Sequence, residues 1–167
     1  MTVFGQWRAR YMNTTQTLDG GVLSGAVRPL RSSCIHEAGH AVVCHTLRQR
    51  VARVELNVCG LAGVCDVDLE RVTVLEEVAM LLAGHVATSL YGPGSGDEDW
   101  IAAGRDMQEA ADLLRDRGGV EAYLAIRDAV KRMLTTQKAS VLRLARWLVA
   151  VGEAGPGMTK YLIDNRL

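Results

Sequence analysis

The stretch SSCIHEAGHAVVCHTLRQR, Ser32 to Arg50, constrains the fold more tightly than any other part of the chain. Ile35, Ala38, Val42, Val43 and Leu47 recur at spacings of three and four, the signature of a helix with an apolar face. The same helix carries His36, Glu37 and His40. Residues four apart lie one turn apart on one side, so both imidazoles can reach a single ion about 2.0 to 2.1 Å from each nitrogen, a geometry that suits zinc. Glu37 is turned about 100° around the axis, where its carboxylate can contact a metal-bound water without ligating the metal. H-E-x-x-H is a short pattern, and two histidines that merely share one side of a helix are the competing explanation. Gly39 costs the helix interior about 1 kcal/mol relative to alanine, which a close approach of another backbone segment would explain.

A chain of 167 residues, 49% hydrophobic, is long enough for one domain with a real core and too short for two. Its 19 basic and 19 acidic side chains cancel and no basic block stands out, which argues against a nucleic-acid or anionic-membrane surface. The longest apolar run, Val78 to Tyr91, falls short of the ~20 residues that cross a bilayer, so it reads as a buried helix and no membrane span is expected. The N-terminus has neither a continuous hydrophobic segment nor a small-residue cleavage signal, which points to a cytoplasmic protein. Cys34, Cys44, Cys59 and Cys65 form no C-x-x-C pair and no zinc-ribbon spacing, and are expected as free thiols.

Residues 1 to 30 show no helical or strand period and read as an N-terminal arm or extension. Ser32 or Ser33 is placed to cap the first helix. VARVELNV then alternates Val54, Leu56 and Val58 against Arg53, Glu55 and Asn57, a strand with one buried face, and VCDVDL returns as a short second strand. Thr73 followed by Glu76 makes a capping box that opens the second helix, which Gly92-Pro93 closes. GPGSGDED is a glycine-rich loop without the Lys-Ser/Thr of a phosphate cradle. A third helix is predicted from Asp99 to Arg117, stopped by Gly118-Gly119. A long helical stretch runs from Val120 to Val151 with a break near Thr135-Thr136, and a short segment follows Gly155-Pro156-Gly157. The predicted class is α+β and predominantly helical: a helical bundle with a small β-hairpin or sheet near residues 52–69 and the H-E-x-x-H helix.

A catalytic zinc needs a third protein ligand and keeps a fourth position for water. The downstream candidates are His45, Glu76, Glu77, His85, Asp97, Glu98, Asp99 and Asp106. His45 points away from the pair, Glu76 belongs to the capping box, Glu77 reads as a solvated helix residue, and His85 as a buried, hydrogen-bonded core histidine. The acidic cluster 97–99 stands where a helix begins and so is also explained by capping and the helix dipole.

HEAGHAVV, the strand and its glycine-bearing turn, LLAGHVATSLYG and GSGDEDWIAAGRDM, in that order, resemble the peptidase domain of the FtsH-type membrane AAA proteases, family M41. The likeness spans roughly residues 32 to 165. It implies His36, His40 and Asp99 as zinc ligands and Glu37 as catalytic base. Asp99 is followed four residues later by Ala103, as in the family's D-x-x-x-A pattern; Asp97 is the alternative should the loop alignment slip by two. The family's arginine after its glycine pair is replaced here by Gly84-His85.

The expected function is that of a zinc metalloendopeptidase acting on a polypeptide substrate and not ATP-dependent by itself, because these residues contain no ATPase module. A separate unfoldase or a homo-oligomer is the candidate partner; a substrate peptide is expected to add to the edge of the Val54–Val58 strand. The alternatives are a catalytically weak or inactive M41-like binding or regulatory module, and a compact H-E-x-x-H peptidase cleaving one folded protein.

Overall fold

The computed structural model describes residues 6–8, 30–57, 63–68, 71–93 and 98–165, with side chains described for all of these except 6–8 and 98–103. The elements in chain order are β1 (Gln6–Arg8), α1 (Ser32–Thr46), β2 (Arg50–Leu56), β3 (Gly63–Asp68), α2 (Val74–Tyr91), α3 (Glu98–Leu114), α4 (Gly119–Thr136), α5 (Lys138–Val151), β4 (Glu153–Ala154) and α6 (Pro156–Asp164). The protein is predominantly helical α+β, with the small sheet and the H-E-x-x-H helix where the sequence puts them.

Helix α1 is the centre of the molecule. Every residue from Cys34 to Cys44 is buried, so the helix is covered on all sides rather than on one apolar face. The sheet packs on one side of it, and α2 and α5 cover much of the rest. A helix so enclosed has no solvated face for His36, Glu37 and His40, and their charges must be met from within the protein. Arg31, extended at φ −92° and ψ 147°, occupies the N-cap position in place of Ser32 or Ser33, and no side-chain hydrogen bond caps the helix.

The capping box of α2 forms as the sequence predicts: the Thr73 hydroxyl accepts from the Glu76 N–H, and Glu76 accepts from the Thr73 N–H at 2.8 Å. Helix α2 is the one described helix long and apolar enough to cross a membrane, and half of it is buried against α1, α3 and α4. The break near Thr135-Thr136 falls at Gln137, between α4 and α5. Helix α3 ends at Leu114, ahead of the expected stop at Gly118-Gly119, and Gly118, left-handed at φ 98°, occupies the N-cap position of α4.

The sheet has the order β1-β3-β2-β4, antiparallel throughout. In β2 the alternation is interrupted by a bulge between Val51 and Arg53, which turns Val51 and Val54, three residues apart, both inward. Strand β2 is interior: β3 pairs along it, and β4 places Ala154 opposite Val54 and Glu153 opposite Glu55. The Val54–Val58 strand is therefore no open edge for a peptide, in contrast to the sequence expectation; Val58 itself lies outside the described residues. Strand β1 is a second difference, since residues 1–30 carry no strand period; three residues are too few to show one. Residues 1–5 and 9–29 of the expected arm lie outside the described residues.

Gly39 has the close neighbour its cost implies. A Cβ there would stand 2.5 Å from Ala87 Cβ and 2.7 Å from the Ala83 carbonyl oxygen, so α1 and α2 touch almost backbone to backbone. We expect Gly39→Ala to destabilise the protein in urea unfolding although alanine favours helix by about 1 kcal/mol, because overpacking costs roughly 1–3 kcal/mol and the atoms in the way are a backbone carbonyl and a Cβ fixed to its helix. An unchanged or raised midpoint would show that the two helices are free to separate.

Candidate metal centre

Three elements bring side chains to one point. From α1 come His36 and His40, with their Nε2 atoms 2.9 Å apart. From α3 comes Asp106, whose Oδ2 lies 3.4 Å from His36 Nε2 and 3.3 Å from His40 Nε2. Helix α2 supplies the floor. Met80 O accepts a hydrogen bond from His40 Nδ1 at 2.7 Å, which leaves Nε2 of the neutral imidazole as the lone-pair nitrogen turned toward His36 and Asp106. All three cluster residues are buried.

The arrangement fits a tetrahedral divalent cation. Two bonds of 2.0–2.1 Å at a tetrahedral angle span about 3.3 Å, against the observed 2.9, 3.3 and 3.4 Å. Those three atoms lie on a circle of radius about 1.9 Å, so one point can stand at zinc-bond length from all of them. Asp106 Oδ2 is close to both nitrogens yet makes no well-directed hydrogen bond, as suits an atom whose natural partner is an ion. Gly84 of α2 makes the room. A Cβ there would lie 2.5 Å from His36 Nε2 and closer still to His40 Nε2, in the space the ligand atoms face.

Glu37 is 1% exposed and its Oε2 has no hydrogen-bond partner. Burial pushes its carboxyl up to about 8, with Asp106 adding to the shift and His40 opposing it. Gly63 at the start of β3 packs directly on it: a Cβ there would overlap Glu37 Cγ and stand 2.8 Å from Cδ. For His40, burial disfavours the charge, but Asp106 and Glu37 outweigh it and lift the imidazole to about 9. Asp106 is likewise opposed by burial and drawn well below the usual carboxylate range by His36 and His40. The Cys65 thiol is raised well above its ordinary value by Cys44 and by burial, so it is a neutral packing group in the metal-free protein.

Asp99 lies in the first turn of α3, but its side chain is outside the described residues, and Asp97 is outside them altogether. The carboxylate brought to the two histidines is Asp106, two turns further along the same helix, and it was one of the candidates. The sequence holds a sign of it: Asp106 is followed four residues later by Ala110, the same D-x-x-x-A spacing as Asp99 and Ala103, and Ala110 is fully buried. His45 Nε2 donates a hydrogen bond to Asp164 Oδ1 at 2.7 Å, away from the centre. His85 is half-buried, held below its ordinary value by desolvation and by Arg127, and takes no part. The structural roles of Gly84 and Gly63 escaped the sequence, because a glycine selected for what its missing side chain admits looks like any other. No protein-family model matches the sequence, and no curated protein matches it.

Two outcomes follow from this geometry. Gly84→Ala, with every ligand intact, is expected to weaken zinc binding by about 10- to 100-fold, measured by competition with a chromogenic chelator; unaltered affinity would remove Gly84 from the site. In the metal-free protein, His40 is protonated to about pH 9 when folded and to about pH 6.5 when unfolded, so its contribution is complete below 6.5 and lost as pH rises through 9. Glu37 acts in the same direction: the folded form holds its proton to about 8, the unfolded form only to about 4.5, so stability falls between those values. Asp106 contributes only at the acid end, losing its stabilisation as pH drops below its ordinary value. The urea midpoint in chelator should therefore fall from pH 6 to pH 9, and saturating zinc, which binds deprotonated histidines, should flatten or reverse that trend.

Proposed function

We propose that the chain is a zinc-dependent metallopeptidase of the H-E-x-x-H type, hydrolysing peptide bonds with water as nucleophile and Glu37 as general base, without ATP of its own. The observation that carries this reading is the convergence of His36 Nε2, His40 Nε2 and Asp106 Oδ2 beside a buried carboxylate that has an unpartnered oxygen. Two imidazoles and one carboxylate are a catalytic rather than a structural zinc set, because they leave a coordination position open. The resemblance to the M41 peptidases supports the same chemistry while implying Asp99 as third ligand; we assign that role to Asp106, which has the same D-x-x-x-A spacing to Ala110.

Each protein group then has a task. His36, His40 and Asp106 hold the ion, and the Met80 carbonyl fixes the tautomer of His40. Bound zinc would polarise the scissile carbonyl, acidify water toward a pKa of about 7 and draw the Glu37 carboxyl down into its ionised form. Glu37 accepts a proton from the attacking water and delivers it to the leaving amine, so one carboxylate serves both halves of the reaction. Gly63 packs on this carboxylate and helps to fix its position.

The test pairs metal content with casein hydrolysis. Glu37→Gln should keep one zinc per chain and lose roughly 10²- to 10⁴-fold in turnover. His36→Ala and Asp106→Ala should lose both metal and turnover, whereas Asp99→Ala keeps both. Zinc retained by Asp106→Ala, or hydrolysis retained by Glu37→Gln, would overturn the assignment.

A further inference from the structure

The sheet meets the central helix along one line. In β3 the inward positions are Gly63, Cys65 and Val67, and on α1 Glu37 and Cys44 are seven residues apart, two turns along one side. Gly63 packs on Glu37, and one step further along both elements Cys65 meets Cys44, its S–H donating to the Cys44 sulfur. Both side chains are wholly buried, and each is a free thiol. Cys34, also free and buried, stands ten positions before Cys44 in the first turn of α1, beside Arg31 and Ser33. Nothing in the hydrolysis proposed above uses the two touching sulfurs.

We propose that Cys44 and Cys65 are an oxidation site, closing under a peroxide to an intramolecular disulfide that ties β3 to the H-E-x-x-H helix. The assignment rests on packing and is independent of the peptidase reading. One sulfur attacks the peroxide O–O bond and becomes a sulfenic acid, releasing water. The second sulfur then displaces the hydroxyl, which leaves as water with the second thiol's proton. Two thiols are oxidised, and one peroxide is reduced to two waters. Burial sets the order of events. Oxidant reaches the sulfurs only when β3 lifts from α1, and as the strand closes again the sulfenic acid is pressed against its partner thiol rather than a second peroxide. The same enclosure therefore slows the first step and directs the second to a disulfide instead of a sulfinic acid. The new bond falls two residues from Gly63, so it fastens the strand that packs on Glu37.

The test treats the full chain, held in chelator, with hydrogen peroxide, then alkylates it in urea with iodoacetamide and maps its peptides by mass spectrometry. We expect alkylation of Cys34 and Cys59 alone and a peptide joining Cys44 to Cys65, with dithiothreitol restoring all four thiols. Amide exchange at residues 63–67 should slow at least about tenfold on oxidation, because a bond then holds β3 against α1. In Cys44→Ala, which removes one sulfur and adds no polar group, peroxide should leave that exchange unchanged. If Cys44→Ala does not fold by circular dichroism, Cys65→Ala serves as the control. Linkage of Cys65 to Cys59, a disulfide between two chains, or a sulfinic acid at Cys44 or Cys65 would overturn the proposal. So would four free thiols in the folded protein at a peroxide dose that oxidises the urea-unfolded chain.

Discussion

The contact between α1 and α2 governs the rest of the structure. At Gly39 the helices meet against the Ala83 carbonyl and the Ala87 methyl, and at Gly84 the second helix has no side chain at all where the imidazoles approach. That closeness lets the His40 ring reach a main-chain carbonyl of α2 while its other nitrogen faces Asp106. With larger residues at these points the helices would stand further apart, the rings would lose their anchor, and α3 would present its carboxylate to an empty cleft. The site is thus a product of helix spacing before it is a product of its ligands.

Burying two histidines and two carboxylates in so small a volume is unfavourable unless each charge is answered by another. Among themselves they reach a compromise: Asp106 keeps its charge, His40 gains one, and Glu37 gives its charge up. A divalent cation at the proposed site would redistribute all three. An assembly kept only for stability would be better served by apolar side chains of similar volume.

Local rules made much of this legible in the sequence. The H-E-x-x-H helix, the Thr73 box and the interruption at Gln137 depend on residues within a turn or two of one another, and so could be read directly. Asp106 could not be singled out, because Asp99 and Asp106 are seven residues apart on one helix and differ only in which turn of α3 passes α1. Strands β1 and β4, of three and two residues, are imposed by their partners' backbones rather than by their own side chains. The bulge in β2 was hidden for a related reason: an alternating pattern gives no sign of where its register slips.

At the far end of α1, His45 is joined to Asp164, which also binds Lys160, while Ser140 and Arg143 of α5 bond the carbonyls of Ile163 and Leu162. The partners His45 and Asp164 are 119 positions apart. During synthesis the central helix therefore leaves the ribosome long before the segment that secures its end, and β2 waits as long for β4. Pairings so remote in sequence slow folding, so the end of the central helix is secured only after α6 has emerged.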